Sequence, residues 1–325
     1  MITAVTGASG HLGGNLVREL LAQGRTVRVL ARSDRRALEG LDLQVVPGDI
    51  FDAGSLRDLV DGADTVFHLA ARISIAGAEG GLVERTNVEG VRNVLRACRS
   101  ARVGRLVHCS SIHAFDTHPN DQTIDERRPL ALGPRHAPYD RSKAAGQQAV
   151  LEAARDGLDA VVINPTAVVG PFDYKPSRMG SVVLDICHRR LPLLIDGGYN
   201  WVDVRDVARG AILAEQKGRS GESYLLSGHW VHICEVSGMI GRITGLGTPS
   251  AAAPVWLAWA ASWFALAWGR ARGVTPKFTP AAITALGSHR LISHGKASRE
   301  LGYEPRPFEE TVRDTLAWFR AAGLL

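Results

Sequence analysis

The stretch Thr6-Gly7-Ala8-Ser9-Gly10-His11-Leu12-Gly13 decides the fold. A short β-branched, apolar run from Ile2 to Val5 precedes it. A segment of helical periodicity follows, with Leu12, Leu16, Leu20 and Leu21 on one face and Gly24 at its close. Strand, glycine turn and helix in that order make a Gly-rich motif informative. Gly7 suits the tight turn, Gly10 lets backbone approach a pyrophosphate, and Gly13 lets the helix pack closely on the strand. The helix N-terminus adds unpaired N–H groups and a positive dipole end. Gly7, Ser9, Gly10, His11, Leu12 and Gly13 are therefore expected around the phosphates of a dinucleotide, although the spacing is G-x-x-G-x-x-G rather than G-x-G-x-x-G.

A chain of 325 residues with 45% apolar content accommodates one large α/β unit with an elaborated second lobe. The net charge of +5 is mild and its Lys and Arg are scattered, which argues against a nucleic-acid partner. Cys98, Cys109, Cys187 and Cys234 show no metal-ligand spacing and read as small hydrophobes of a reducing compartment. A first strand at residue 2 leaves no room for a secretory leader, so a cytoplasmic enzyme without a metal is expected.

Thr26 to Leu30 reads as a second strand, parallel to the first because a helix joins them. The residue at its end selects the cofactor. An Asp or Glu there binds a ribose 2′-OH, whereas this chain has Ala31-Arg32-Ser33, and an arginine suits a 2′-phosphate. Arg32 favours NADP; Asp34, close by, keeps NAD open. Leu43 to Val46 is a third strand, ending in Gly48-Asp49-Ile50, where Asp49 either meets the adenine amino group or caps the helix from Ser55. Asp64 to Leu69 is a fourth, and the small residues Ala70-Ala71 after it let backbone lie close under a cofactor. Asn87, near the start of a helical stretch from Glu84 to Cys98, either holds active-site backbone or water, or caps that helix.

Arg105 to Cys109 is a fifth strand and runs into Ser110-Ser111. After a polar loop, Tyr139-Asp-Arg-Ser-Lys143 opens a helix, with Tyr and Lys four apart on one face. A tyrosine hydroxyl of pKa near ~10 is a poor base at neutral pH, and a neighbouring ammonium draws that value down. Ser111, at the C-terminal end of a strand, is placed to hydrogen-bond a substrate oxygen. Val161 to Ile163 and Tyr224 to Leu226 complete the strands of the nucleotide sheet.

These motifs together resemble the extended branch of the short-chain dehydrogenase/reductase superfamily. The likeness runs nearly end to end: TGASGHLG, GDI at 48–50, HLAA at 68–71, NVEG at 87–90, SS at 110–111, YDRSK at 139–143, NPTAVVGP at 164–171, VDVRDVA at 202–208 and LGYEP at 301–305. The resemblance implies a Rossmann-type α/β fold, a doubly wound parallel sheet with helices on both faces. It implies that Ser111, Tyr139 and Lys143 are the catalytic trio, with Tyr139 as general acid/base and Lys143 gripping the nicotinamide ribose. It places Asn87 beside the active site, Ile50, Leu69, Ala70 and Ala71 along the cofactor, and Pro165, Thr166 and Val168 against the nicotinamide. The arginine after the second strand and the C-terminal half look most like the dihydroflavonol-reductase and hydroxysteroid-dehydrogenase-like group. A homodimer is implied too, through helices beside strands four and five.

The expected division is residues 1–165 with 196–230 for the nucleotide, and 166–195 with 231–325 for the substrate. Arg205 and Asp206 read as the charged pair where the chain returns between the two. Pro254 to Trp268 is uncharged and holds four tryptophans. As a helix it would reach about 22 Å, short of the ~20 residues that cross a bilayer. It reads as a buried helix of the substrate lobe, as an apolar lid or dimer face, or as an interfacial anchor with Arg270 and Arg272 behind it. The expected activity is NADP-dependent interconversion of a carbonyl and a secondary alcohol on a bulky, apolar small molecule. An NAD-dependent sugar-nucleotide epimerase is the alternative, and a dinucleotide-binding sensor without catalysis a further one. A dehydratase is disfavoured, because Ile112-His113 stands where such relatives carry an acidic pair.

Overall fold

The computed structural model describes residues 1–74, 77–191, 193–260, 262 and 291–325. Seven parallel strands form the central sheet: β1 (Ile2–Thr6), β2 (Thr26–Ala31), β3 (Gln44–Pro47), β4 (Thr65–His68), β5 (Arg105–Cys109), β6 (Ala160–Pro165) and, later in the chain, β10 (Ser223–Leu226). Their order is β10-β6-β5-β4-β1-β2-β3, so the chain reverses direction of travel between β1 and β4. Ligands of open α/β sheets bind at that switch point, beyond the C-terminal strand ends.

Both faces are covered, as a parallel sheet requires. The helices His11–Ala22 and Val204–Lys217 bury Leu16, Leu20, Val207 and Ala211 against Val5, Val29 and Phe67. On the other face Ala53–Val60, Gly90–Ala101 and Pro138–Arg155 bury Leu56, Leu59, Val94 and Val150 against Val66, Leu106 and Val162. The inner strands β1, β4, β5 and β6 are almost wholly buried, whereas the edge strand β3 is partly open to water.

Between β6 and β10 lie β7 (Ala167–Val169), β8 (Leu194–Ile195) and β9 (Gly198–Asp203); β11 (His229–His232) and β12 (Ala252–Ala253) follow. β11, β9 and β7 form a second sheet, and β12 pairs with β8. With the helices Arg178–Cys187, Ile233–Thr244 and Phe308–Ala321 they enclose a separate core that includes Leu184, Trp201, Val236, Ile240, Phe308 and Phe319.

Several expectations need correction. Arg205 and Asp206 do not pair with each other. Arg205 reaches Asp203 at 2.7 Å and Asp314 at 2.6 Å, while Asp206 holds Arg306 at 2.8 Å. Successive positions at a helix start point in different directions, so each clamps a different part of the C-terminal segment. The described start of the Trp-rich segment is not a buried helix: Trp256 is 70% and Trp259 47% exposed. Trp263, Trp268, Arg270 and Arg272 lie outside the described residues. Among the described residues no helix is long and apolar enough to cross a membrane.

Candidate active site

The glycine turn is built as close backbone packing demands. Gly7 has φ +73°, and a Cβ there would stand 2.6 Å from the Ala70 amide nitrogen. A Cβ on Gly13 would stand 2.7 Å from Ala8 Cα and nearer still to the Gly7 carbonyl oxygen. Ser9 and Gly10 are exposed at the sheet's switch point. Gly10 is the N-cap of the first helix, and no side chain caps that end. The unfilled N–H groups and the tight cradle fit a dinucleotide pyrophosphate. The His11 side chain turns elsewhere, with Nε2 3.2 Å from the Gly170 oxygen and 3.1 Å from that of Pro171. His11 and Leu12 therefore offer the phosphates backbone only.

At the adenine end, the Arg32 side chain is 81% exposed and Nη1 lies 3.6 Å from Asp49 Oδ2. Asp34 is engaged by Arg36 at 2.8 Å, and the hydrogen bond from that guanidinium lowers its pKa to about 2. Asp49 is not the helix cap. Asp52 accepts from Gly54 N and Ser55 N and begins the helix at Ala53, two residues earlier than expected, because its side chain stands at the N-cap position. Asp49 instead accepts from Phe51 N and keeps its other oxygen toward Arg32. Ile50 is buried against Gly90. Leu69 and Ala70 donate their N–H groups to Thr6, through its carbonyl and its hydroxyl, which ties the end of β4 to the glycine turn. Ala71 follows in the same loop.

Asn87 is not an N-cap. It lies in a π-helical turn, Arg85–Glu89, of the kind that collects at functional sites. Its side chain accepts from Arg72 N at 2.8 Å and donates to Arg72 O at 3.0 Å and to Ser142 Oγ at 2.9 Å; Ser142 in turn donates to the Tyr139 carbonyl. Asn87 thus holds backbone on both sides of the cleft and is 2% exposed. Replacing it with alanine removes three hydrogen bonds, two to the Arg72 backbone and one to Ser142 Oγ. We expect a loss of about 2–4 kcal/mol, at ~0.5–1.5 kcal/mol for each hydrogen bond, measured by denaturant unfolding.

The trio meets at the end of β5. The Ser111 hydroxyl stands near the Tyr139 phenol, and Asn164 donates to the Ser111 carbonyl at 2.8 Å. Asn164 is fully buried and also bonds Gln147 at 2.7 Å. Sequence reading passed over it, although it opens the quoted NPTAVVGP. Pro165 ends β6, Thr166 is tied to Asn200 at 2.9 Å, and Val168 lies in β7. Ser110 is buried with its Oγ unpartnered among the described residues, and Ser111 is the serine whose hydroxyl acts on the phenol's pKa.

Lys143 is 4% exposed and donates to the Cys109 carbonyl at 2.8 Å. Burial lowers its pKa, and it also holds His68 and His108 neutral beneath the site; His68 falls to about 3. Burial pushes the Tyr139 phenol well above its usual pKa, and the nearby Ser111 hydroxyl works against that rise. A nearby positive charge that favours its phenolate is Arg178, at the start of the helix Arg178–Cys187. No sequence motif marked Arg178; only the packing of the second lobe brings it near.

A nucleotide cradle at the switch point, with a serine, a tyrosine and a lysine converging beside it, defines a dinucleotide-dependent oxidoreductase site. Residues 3–227 match the NAD dependent epimerase/dehydratase family, and the chain belongs to that family. It is 35% identical to sterol demethylase protein B of Methylococcus capsulatus, over all of both chains. It is 32% identical to a putative dihydroflavonol 4-reductase of Synechocystis, over 98% of this chain and 94% of that one. The dTDP-glucose 4,6-dehydratase DesIV of Streptomyces venezuelae, solved with NAD bound, superposes with a TM-score of 0.77 at 26% identity, covering 99% of this chain and 97% of that one. The protein is an NAD(P)-dependent enzyme of the extended short-chain dehydrogenase/reductase type.

Proposed function

We propose that the protein is an NADP-dependent reductase that interconverts a carbonyl and a secondary alcohol on a bulky, apolar small molecule. The observation that carries this reading is the convergence of Ser111, Tyr139 and Lys143 at the end of β5, with burial keeping the phenol protonated. A protonated phenol beside a hydroxyl is the acid a carbonyl needs. Ser111 donates a hydrogen bond to the substrate oxygen and Tyr139 delivers the proton to it; in the opposite direction Tyr139 takes it back. Lys143, fixed by the Cys109 carbonyl, keeps two N–H groups for the nicotinamide ribose. The nicotinamide, when bound, supplies or accepts the hydride. Gly7, Ser9, Gly10 and Gly13, with the backbone of His11 and Leu12, hold the pyrophosphate. Pro165, Thr166 and Val168 flank the nicotinamide, and Asp49 meets the adenine.

The exposed Arg32 guanidinium supports NADP, since Asp34 is already held by Arg36. The sterol and flavonoid names of the two relatives support an apolar polycyclic substrate. Four free cysteines accord with the cytoplasm, and the family resemblance leads us to a homodimer. Fluorescence titration with NADPH and NADH tests the cofactor. We expect NADPH to bind at least tenfold tighter, and Arg32→Ala to remove most of that preference, given ~1.5–3 kcal/mol for a charged hydrogen bond. Equal affinity would overturn the NADP assignment, and NAD(H) retained through purification would put the epimerase first. A ketone panel including 5α-androstan-3-one and 2-methyl-1-tetralone tests the reduction.

A further inference from the structure

One edge of the second lobe takes no part in the proposed reaction and is built unlike the rest of the surface. From Val236 to Arg299 the chain has no Asp or Glu, while it carries seven Lys and Arg. Four of the protein's seven tryptophans, Trp256, Trp259, Trp263 and Trp268, stand in the same stretch. Arg242 precedes their uncharged run, and Arg270, Arg272 and Lys277 follow it.

The described part of this stretch is fixed to the lobe by its backbone and turns its large side chains outward. Leu194 N donates to Ala251 O at 3.1 Å and Asp196 N to Ala253 O at 2.9 Å, which lays β12 against β8. Thr248 Oγ1 donates to Ser237 O at 2.9 Å and Ser237 Oγ to Pro249 O at 2.6 Å, tying the preceding loop to the helix Ile233–Thr244. A helical turn then starts after Pro254, whose carbonyl accepts from Leu257 N at 3.0 Å and Ala258 N at 3.2 Å. Trp256 and Trp259, three residues apart, share one face of it. Of the ten large apolar side chains that are exposed among the described residues, five lie along this edge: Leu193, Leu246, Trp256, Leu257 and Trp259.

The charges beside them are of one sign. Arg189 Nη2 lies 3.7 Å from where a Cβ on Gly247 would stand, and Arg242 is in the last turn of Ile233–Thr244. Among the described residues neither arginine meets an acidic partner. The nearby acids are engaged or remote. Asp185 holds Arg190 at 3.4 Å, Asp196 lies 2.9 Å from His232, and Glu235 is in the first turn of the helix that Arg242 ends. Indole rings settle at the headgroup level of a bilayer, and a guanidinium there meets lipid phosphate. A second copy of the chain fits this edge less well, because a two-fold interface sets a patch against itself and brings the same unmatched arginines together.

We propose that this edge of the second lobe rests on an anionic phospholipid surface, with Trp256, Leu257 and Trp259 in the interfacial layer and Arg189 and Arg242 against the headgroups. The attachment is peripheral, since the uncharged run is too short to span a bilayer. It presents the lobe to the phase in which apolar molecules dissolve, and it does not depend on the reaction assigned above.

Sedimentation of the full-length protein with vesicles tests it, using phosphatidylcholine alone and phosphatidylcholine mixed equally with phosphatidylglycerol. We expect binding about tenfold tighter to the anionic vesicles, weakening about tenfold as salt rises from ~0.1 to ~0.5 M. Trp256→Ser combined with Trp259→Ser should lower that affinity about tenfold or more, and brominated lipid should quench the remaining tryptophan emission less. Arg189→Gln combined with Arg242→Gln should remove most of the preference for anionic lipid. Thermal unfolding checks that each pair folds, and the arginine pair decides if the tryptophan pair does not. Wild-type protein that ignores anionic vesicles, that binds both kinds equally, or whose binding survives the tryptophan pair overturns the proposal. A dimer that the tryptophan pair makes monomeric, with no vesicle binding, gives the edge to a second copy and overturns it too. No arm of the test needs turnover, so failure of the reductase reading leaves its outcome untouched.

Discussion

Tyr139→Phe is expected to lower carbonyl reduction about a thousandfold while NADPH affinity changes by no more than a few-fold. The substitution removes the phenol hydroxyl and keeps the ring and its contact with His113. General acid–base catalysis contributes roughly 10²–10⁴-fold, and the loss should fall in that window. The direction of the pKa shift adds a pH signature. Burial raises the Tyr139 pKa, so the acid form prevails at neutral pH. Wild-type reduction should stay level from about pH 6 to 8, whereas oxidation of the alcohol, which needs the phenolate, should climb up to tenfold per pH unit. Steady-state rates in both directions check this. Turnover retained in Tyr139→Phe would refute the mechanism, and an oxidation rate level with pH would refute the protonated phenol.

Gly13→Ala and Gly10→Ala should separate folding from binding. The Gly13 methyl would meet the backbone of Ala8 at 2.7 Å and the Gly7 carbonyl oxygen more closely, and neither can give way without moving the turn. Overpacking of this kind costs about 1–3 kcal/mol. The turn it displaces carries the phosphate-facing amides, so NADPH affinity should fall more than a hundredfold along with the melting temperature. The Gly10 methyl meets only the Gly7 oxygen, at 3.2 Å, and points into exposed space. Gly10→Ala should therefore keep most of the stability and still lose at least tenfold in affinity, because its methyl occupies the path of the pyrophosphate. Thermal unfolding and cofactor titration of both variants decide it. Normal affinity in Gly10→Ala would move the phosphates off this turn.

Local patterning made much of the architecture legible. A parallel strand buried on both faces is continuously apolar, and the glycine turn between strand and helix has few alternatives. The seven strands of the nucleotide sheet were therefore readable from Ile2, Thr26, Leu43, Asp64, Arg105, Val161 and Tyr224 onward. The tyrosine and lysine were readable because a helix places residues four apart on one face. Caps and pairings were less so: Asp49 read as a candidate cap, and the turn places Asp52 there instead.

The nucleotide fold, the glycine turn and the candidate trio of Ser111, Tyr139 and Lys143 were legible in the residue pattern alone. These depend on neighbours along the chain or on one helical turn. The tertiary structure alone decided the electrostatics of the site. Lys143 donates to the Cys109 carbonyl, Arg178 arrives from the second lobe, and Asn87 clasps Arg72 across the cleft. Each of those relations joins segments far apart in the chain or turns on a side-chain direction. Hydrophobic periodicity records which face of an element is buried, not which charge will stand opposite it.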